Sequence, residues 1–184
     1  RTVRFYEEQG LLKPSVVSGG GHRRYTEEDL ERLRLILDLR ELGLPICDIR
    51  ALFDLRAGCS NVAEFAVRFR EVLLRHPRVI VGTDDMYEHI WWGPEPFCSL
   101  VTACPALYDR TVTINGVSKS YAMTGWRIGY CGGPAEIITA MATVQGQSTS
   151  NPTSISQKAA TAALAGDQHC VAEMNKAFKE RHDF

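Results

Sequence analysis

The sequence predicts two fold classes in one chain: an all-α N-terminal segment with a basic, glycine-rich protrusion, then a partial α/β segment on a parallel sheet. Three observations predict this. Apolar residues recur at helical spacing as far as about His76. At Pro77 the character changes, and short β-branched runs begin to alternate with helical stretches. Only about three such runs are visible, fewer than an open sheet of that class usually holds, so the sheet is expected to be incomplete.

Residues 2–9 (TVRFYEEQ) read as a short helix stopped by Gly10. Residues 11–25 carry a proline, three consecutive glycines and clustered basic residues, which reads as a flexible loop or hairpin tip. Thr26 opens a helix, and Asp29 completes a capping box in place of the usual Glu or Gln. Leu30, Leu33, Ile36 and Leu37 supply its apolar side, with Glu31, Arg34, Asp38 and Glu41 opposite, and Gly43 and Pro45 break it. Further helices are expected over 46–55 and from about 60 to 76. Ser60 is the candidate N-cap of the latter, and Val62, Phe65, Phe69, Val72 and Leu73 are apolar. Strands are expected at 79–82, 111–114 and 126–130, and helices at 134–149, 153–164 and 170–182. The boundary falls near 66–76, giving segments 1–68 and 69–184.

With 184 residues, a formal net charge of −1 and 45% hydrophobic residues, the chain allows one domain or two small ones. The near-neutral total hides an uneven distribution, because Arg1, Arg4, Lys13, Arg23 and Arg24 crowd the first 24 residues. Six cysteines, with no CxxC pair, no regular spacing and no secretory signal, predict reduced thiols in a cytoplasm. No apolar run approaches the length that spans a bilayer, so no membrane partner is expected. The chain opens on Arg1 rather than Met and enters patterned sequence at once, from which an N-terminal truncation is expected.

Arg4 and Tyr6 fall near one face of the first helix, and His22, Arg23, Arg24 and Tyr25 could sit on a wing, where Arg and Tyr can bond phosphate oxygens. An isolated basic cluster reads by itself as solvated surface. The run RTVRFYEEQGLLKP, followed by GGGHRRYTEEDLERLRLILDLRELGLPICDIRALFDL, resembles the DNA-binding domain of MerR-type transcription regulators over about sixty residues. The resemblance implies a winged-helix fragment with a recognition helix first and a wing that grips the backbone. Duplex DNA is then the partner, with Arg4, Tyr6, Arg23 and Tyr25 as contacts. The family's opening helix is absent, and its long dimerisation helix gives way to other sequence after about Val67. Cys59 stands where metal-sensing members hold a thiolate. A metal site needs several ligands and none with suitable spacing is nearby, so no metal is expected.

The second segment carries different chemistry. Asp84 and Tyr87 are three apart just past an apolar strand, where open α/β sheets present ligand-binding groups. Lys119 lies in NGVSKSYAMTGWRIGY beside Ser118, with Arg127 eight positions on. A pyridoxal-phosphate site needs these parts. A lysine amine forms an imine with the aldehyde, and a carboxylate keeps the pyridine nitrogen protonated. A phenol donates to the ring oxygen, and a guanidinium and a hydroxyl bind the phosphate. Singly, each has a plainer reading, as a surface lysine or as a turn residue at Asp84 or Asp85. The runs EVLLRHPRVIVGTDDMYEHI, LYDRTVTINGVSKSYAMTGWRIGYCGGP and IITAMATVQGQSTSNPTSISQKAA resemble class I, aspartate-aminotransferase-like enzymes from about Glu71 onward.

That resemblance implies the type I fold of pyridoxal-phosphate enzymes, with Lys119 as Schiff-base lysine and general acid/base. Asp84 becomes the partner of the pyridine nitrogen, Tyr87 the donor to the ring oxygen, and Ser118 and Arg127 phosphate ligands. Gly116 stands where many relatives have a serine. Substrates would be an amino acid and a 2-oxo acid, exchanged in ping-pong fashion, and both resemblances imply homodimers. The phosphate loop, the ring-stacking aromatic, the asparagine near the ring oxygen and the substrate-carboxylate arginine have no counterpart here. The function expected is therefore an aminotransferase-like segment fused to a MerR-like DNA-binding segment, catalytically incomplete as a chain. A MerR-family transcriptional regulator and a non-functional join of two gene fragments remain open as alternatives.

Overall fold

A computed structural model describes residues 2–58 and 62–184, apart from the side chains of 17, 55–58 and 62–66. Arg1, Cys59 and Ser60, and the side chains of Val62 and Phe65, thus lie outside the described residues. The chain divides into two compact units, Arg1–Val79 and Ile80–Phe184.

In the first unit, α1 (Thr2–Glu8) ends where Gly10 takes φ +72°, a left-handed turn that glycine adopts without steric cost. The chain doubles back, Leu11 N donating to Tyr6 O at 2.9 Å, so that Leu11 and Leu12 join Tyr6 in the core. Strands β1 (Val16–Val17) and β2 (Arg23–Arg24) pair antiparallel, Val16 opposite Arg24, and close the expected loop into a hairpin. Helix α2 (Glu27–Glu41) starts at the anticipated capping box: Asp29 N donates to Thr26 Oγ1 and Thr26 N to Asp29 Oδ2.

The buried stripe of α2 differs from the expected one. Ile36 is fully buried and Leu33 and Leu39 pack against the core, whereas Leu30 and Leu37 stay exposed. Leu37 lies about 100° round the helix from Ile36, and Leu30 sits in the solvated first turn. Helix α3 (Ile46–Gly58) runs beyond its expected end, and α4 (Val62–Arg75) buries Val72 and Leu73 as expected. Asp48 on α3 is a buried carboxylate bonded by Arg75 Nη2 and paired with His76 Nε2, each at 2.7 Å. Among the described residues the core gathers Tyr6, Leu11, Leu12, Ile36, Leu44 and Ile49.

The second unit is built on β3 (Val81–Asp84), β4 (Thr111–Gly116) and β5 (Gly129–Gly132), in the order β3-β4-β5. Strand β3 runs parallel to β4, with Asp84 opposite Ile114. Strand β5 runs antiparallel to β4, with Gly116 opposite Gly129. The sheet is thus mixed, correcting the all-parallel expectation. A parallel return needs a crossover element, but residues 117–128 hold only a 3-10 turn at Thr124–Trp126, so the chain re-enters from the end at which it left.

Two strands start later than expected. β3 begins at Val81, and β5 only after Trp126 has closed its 3-10 turn and Arg127 has taken a left-handed conformation. The short α5 (Leu100–Ala103), capped by Ser99, and the 3-10 helix Pro105–Arg110 were not anticipated. Helices α6 (Ala135–Ser148), α7 (Ser154–Ala165) and α8 (His169–His182) fall within a residue of expectation at each end. Val81, Leu107 and Val112 are buried, and Val117, Ile128 and Ala160 form a cluster with Tyr121 and Met123 against it.

Candidate functional site

The register brings five expected residues to one end of the mixed sheet. β3 ends at Asp84, with Tyr87 three residues beyond. β4 ends at Gly116, leading to Ser118 and Lys119, and β5 begins just after Arg127. Because β3 and β4 are parallel and β5 is reversed, the two exits and one entrance coincide. This is the carboxyl end of the parallel pair, where open α/β sheets present their ligand sites.

Lys119 Nζ lies 5.7 Å from the centroid of the Tyr87 ring, within cation–π range. Lys119 and Ser118 are half-buried, while Asp84, Tyr87 and Arg127 are exposed. Asp84 Oδ1 accepts the Met86 N–H at 3.1 Å, which fixes the carboxylate at the strand exit. The loop carrying Lys119 is tied by its own backbone: Ala122 N donates to Lys119 O, Met123 N to Val117 O, and Thr124 Oγ1 to Ser118 O. Arg127 Nη1 donates to Thr124 O at 3.0 Å. Ala122 and Arg127 both take positive φ, +52° and +54°, so backbone strain flanks the turn beside Lys119.

At Gly116, a Cβ would meet Ile128 O at 3.0 Å, Met86 Cε at 3.2 Å and Gly129 Cα at 3.3 Å. A serine there would require neighbouring main chain to give way, which is a physical reason for glycine at this position.

Sequence reasoning assigned no role in the site to three polar residues around this end. Asn115, buried on β4, donates from Nδ2 to Glu88 Oε1 at 2.7 Å and accepts the Gly116 N–H on Oδ1. Asparagine is depleted in strands, so its place behind the run TVTI was the available signal. Asp85 is buried, and its carboxyl is pushed up by burial and then by the charges of Glu88 and Asp84. The Ser120 hydroxyl is buried and has no hydrogen-bond partner among the described residues. Among the described residues no group of three or more His, Cys, Asp or Glu side chains is placed to hold a metal ion.

The wing candidates are arranged differently from their expectation. Tyr6 is a core residue at 6% exposure, while Arg4 is exposed on α1. Arg23 Nε donates to Glu7 Oε2 at 2.7 Å, and the Tyr25 hydroxyl donates to Glu7 Oε1. Both groups therefore lie together beside α1, held by a carboxylate that the sequence reading did not single out.

A lysine beside a phenol, with a carboxylate, a hydroxyl and a guanidinium, thus forms one donor set at the same sheet end. The family model for aminotransferase class I and II matches residues 66–184, and the chain belongs to that family. The MerR HTH family regulatory protein model matches residues 1–55. An aspartate/prephenate aminotransferase of Nitrosomonas europaea is 61% identical over 113 residues, which are 61% of this chain and 28% of that protein. The crystal structure of the Rhizobium meliloti aspartate aminotransferase superposes with a TM-score of 0.63 at 52% identity, over 68% of this chain and 32% of the other. Thermus thermophilus aspartate aminotransferase with maleate gives 0.58 at 36% identity, over 65% and 31%. The chain thus spans under a third of the length of these relatives.

Proposed function

We propose that residues 69–184 form a pyridoxal-phosphate-binding aminotransferase segment, joined to a MerR-type winged-helix DNA-binding segment at 1–68. The observation that carries the first part is the approach of Lys119 Nζ to within 5.7 Å of the Tyr87 ring centroid at the sheet end. The donor set fits the cofactor. In this reading Asp84 holds the proton on the pyridine nitrogen, Tyr87 donates to the ring oxygen, and Ser118 and Arg127 bind the phosphate. Lys119 Nζ would hold the cofactor and act as the base that carries a proton to and from the substrate α-carbon. Bound there, pyridoxal phosphate supplies an aldehyde and an electron-withdrawing ring. The reaction class is transfer of an amino group between an amino acid and a 2-oxo acid. We propose it for the fold this segment belongs to, and propose that this chain alone is catalytically incomplete, since positioning sets such rates. A cytoplasmic location and homodimerisation belong to the same reading. Among the described residues no helix is long and apolar enough to cross a membrane.

The test is to add pyridoxal phosphate, reduce with borohydride and map the pyridoxyl label. The expected result is label concentrated on Lys119 and lost from that peptide in Lys119→Ala. Label spread evenly over Lys13, Lys119, Lys158, Lys176 and Lys179 overturns the reading.

A second reading, binding of duplex DNA, is favoured by the hairpin that sets Arg23 and Arg24 on one short exposed strand. Phosphate contacts release counterions, so affinity should fall steeply with salt, and Arg23→Ala should lower the log–log slope by about 1. Fluorescence anisotropy against salt concentration measures this, and equal binding at low and high salt overturns it.

A further inference from the structure

The two loops that meet at the sheet end are joined by one side-chain bridge outside the expected donor set. Asn115 is the penultimate residue of β4, ahead of the Lys119 loop, and is buried. Its Nδ2 donates to Glu88 Oε1 at 2.7 Å, and its Oδ1 accepts from Gly116 N at 2.7 Å, so both ends of the amide are engaged. Glu88 belongs to the other loop, one residue past Tyr87, and its own N–H donates to Asp85 O at 3.0 Å. Asp85 N donates to Ile114 O at 2.9 Å, so a main-chain bond and a side-chain bond connect the exit of β3 to the end of β4 at adjacent residues.

We infer that Asn115 and Glu88 are positioning residues that set the Tyr87 loop and the Lys119 loop in register for the cofactor. The inference rests on the pyridoxal-phosphate reading above. A buried amide aimed into a strand end costs free energy unless it is bonded. β-Branched residues occupy the preceding positions of β4, and one of them would serve a merely structural strand better. The bridge instead fixes the separation of two loops whose side chains must reach one ligand, and a displacement of about an ångström at such a site costs orders of magnitude in rate. Neither residue touches the ligand in this account. Asn115 acts through Gly116 and the turn to Lys119, and Glu88 acts through the chain that carries Tyr87.

The experiment uses the full chain with pyridoxal phosphate and reads borohydride-trapped label at Lys119 relative to the other four lysines, together with the absorbance maximum of the bound cofactor. Asn115→Asp keeps the side-chain size but cannot donate to Glu88, and Glu88→Ala removes the acceptor. Each is expected to lower the selectivity for Lys119 by about tenfold or more and to shift the absorbance maximum. Glu88→Gln keeps a carbonyl oxygen in place and is expected to retain selectivity within about twofold, since it preserves the bond. Unchanged selectivity in both Asn115→Asp and Glu88→Ala overturns the inference. So does a Glu88→Gln variant as impaired as Glu88→Ala, because charge rather than registration would then be at work. If either disrupting variant loses its far-ultraviolet circular dichroism, the comparison of Glu88→Gln with wild type decides between the same two outcomes. Absence of selectivity in the wild-type chain overturns the cofactor reading itself, and this inference with it.

Discussion

Arg23 is held by Glu7: the guanidinium donates its Nε–H to Glu7 Oε2 at 2.7 Å, across sixteen residues of sequence. The other carboxylate oxygen of Glu7 takes the Tyr25 hydroxyl, so one acidic side chain on α1 anchors two residues at and just after β2. Glu7 is held below the usual carboxylate range, first by the Tyr25 bond and, against burial, also by Arg23. The hairpin therefore comes pre-aligned to α1, with the basic group already facing an anion.

The Tyr25 phenol is pushed up by its bond to Glu7, then by burial and the Glu7 charge. In the wild-type chain it is expected to ionise above the usual tyrosine value of about 10. In Glu7→Gln it should move back toward that value. Assigned Tyr25 ring resonances followed through an alkaline titration measure this, and coincident titration curves would refute the arrangement.

The acid stability of the first unit should depend on Asp48. Burial alone would raise this carboxyl, but the bonds from His76 and Arg75 outweigh burial and hold it below the ordinary value. A depressed folded-state pKa contributes stability that is present above the unfolded value, about 3.9, and is lost as the pH falls through the folded one. The urea midpoint of the first unit is expected to drop below about pH 4. Asp48→Asn should be less stable at neutral pH and should lose much of that slope.

Asp85 should behave in the opposite sense. Burial, then the Glu88 and Asp84 charges, raise its carboxyl. Its contribution is then fully present below the unfolded value of about 3.9 and is lost as the pH rises through the folded one. Asp85→Asn is expected to stabilise the second unit at neutral pH, with the gain vanishing in acid. Paired urea titrations at neutral and acid pH check it, and a pH-independent difference counts against the account.

Ala122 sits at φ +52° in the turn beside Lys119. A left-handed conformation costs an alanine roughly 1–2 kcal/mol, and glycine avoids that cost while adding roughly 0.5–1 kcal/mol of unfolded-chain entropy. Ala122→Gly is therefore expected to stabilise by about 0.5–1 kcal/mol, a rise of roughly 2–6 °C in the melting midpoint of the second unit. Calorimetry measures it, and a lower midpoint would show that the turn is held by contacts of the alanine methyl.

Local patterns carried well from sequence to structure. The Thr26–Asp29 capping box, the stop at Gly10 and the last three helices depend on chemistry within a turn or two of the chain, and each is present where expected. Strand β5 starts late because Thr124–Trp126 forms a 3-10 turn, with Trp126 N bonded to Met123 O, that takes up Trp126 despite its β propensity. The apolar stripe of α2 shifted because only packing decides whether Ile36 or Leu37 faces inward.

The sequence by itself determined which chemistry this chain carries: Lys119 with Ser118 and Arg127 in one run, Asp84 and Tyr87 in another, and a basic run at residues 22–24. Those are residue identities at short spacing, and no folding is needed to read them. Only the tertiary structure decided which residues meet. Reversal of β5 brings Arg127 to the exit of β3 and β4, and Asn115 finds Glu88 across 27 positions. Tyr6 enters the core, while Arg23 turns to Glu7. Such pairings are set by strand register and by the need of buried polar groups for partners, and both act between residues far apart in the chain.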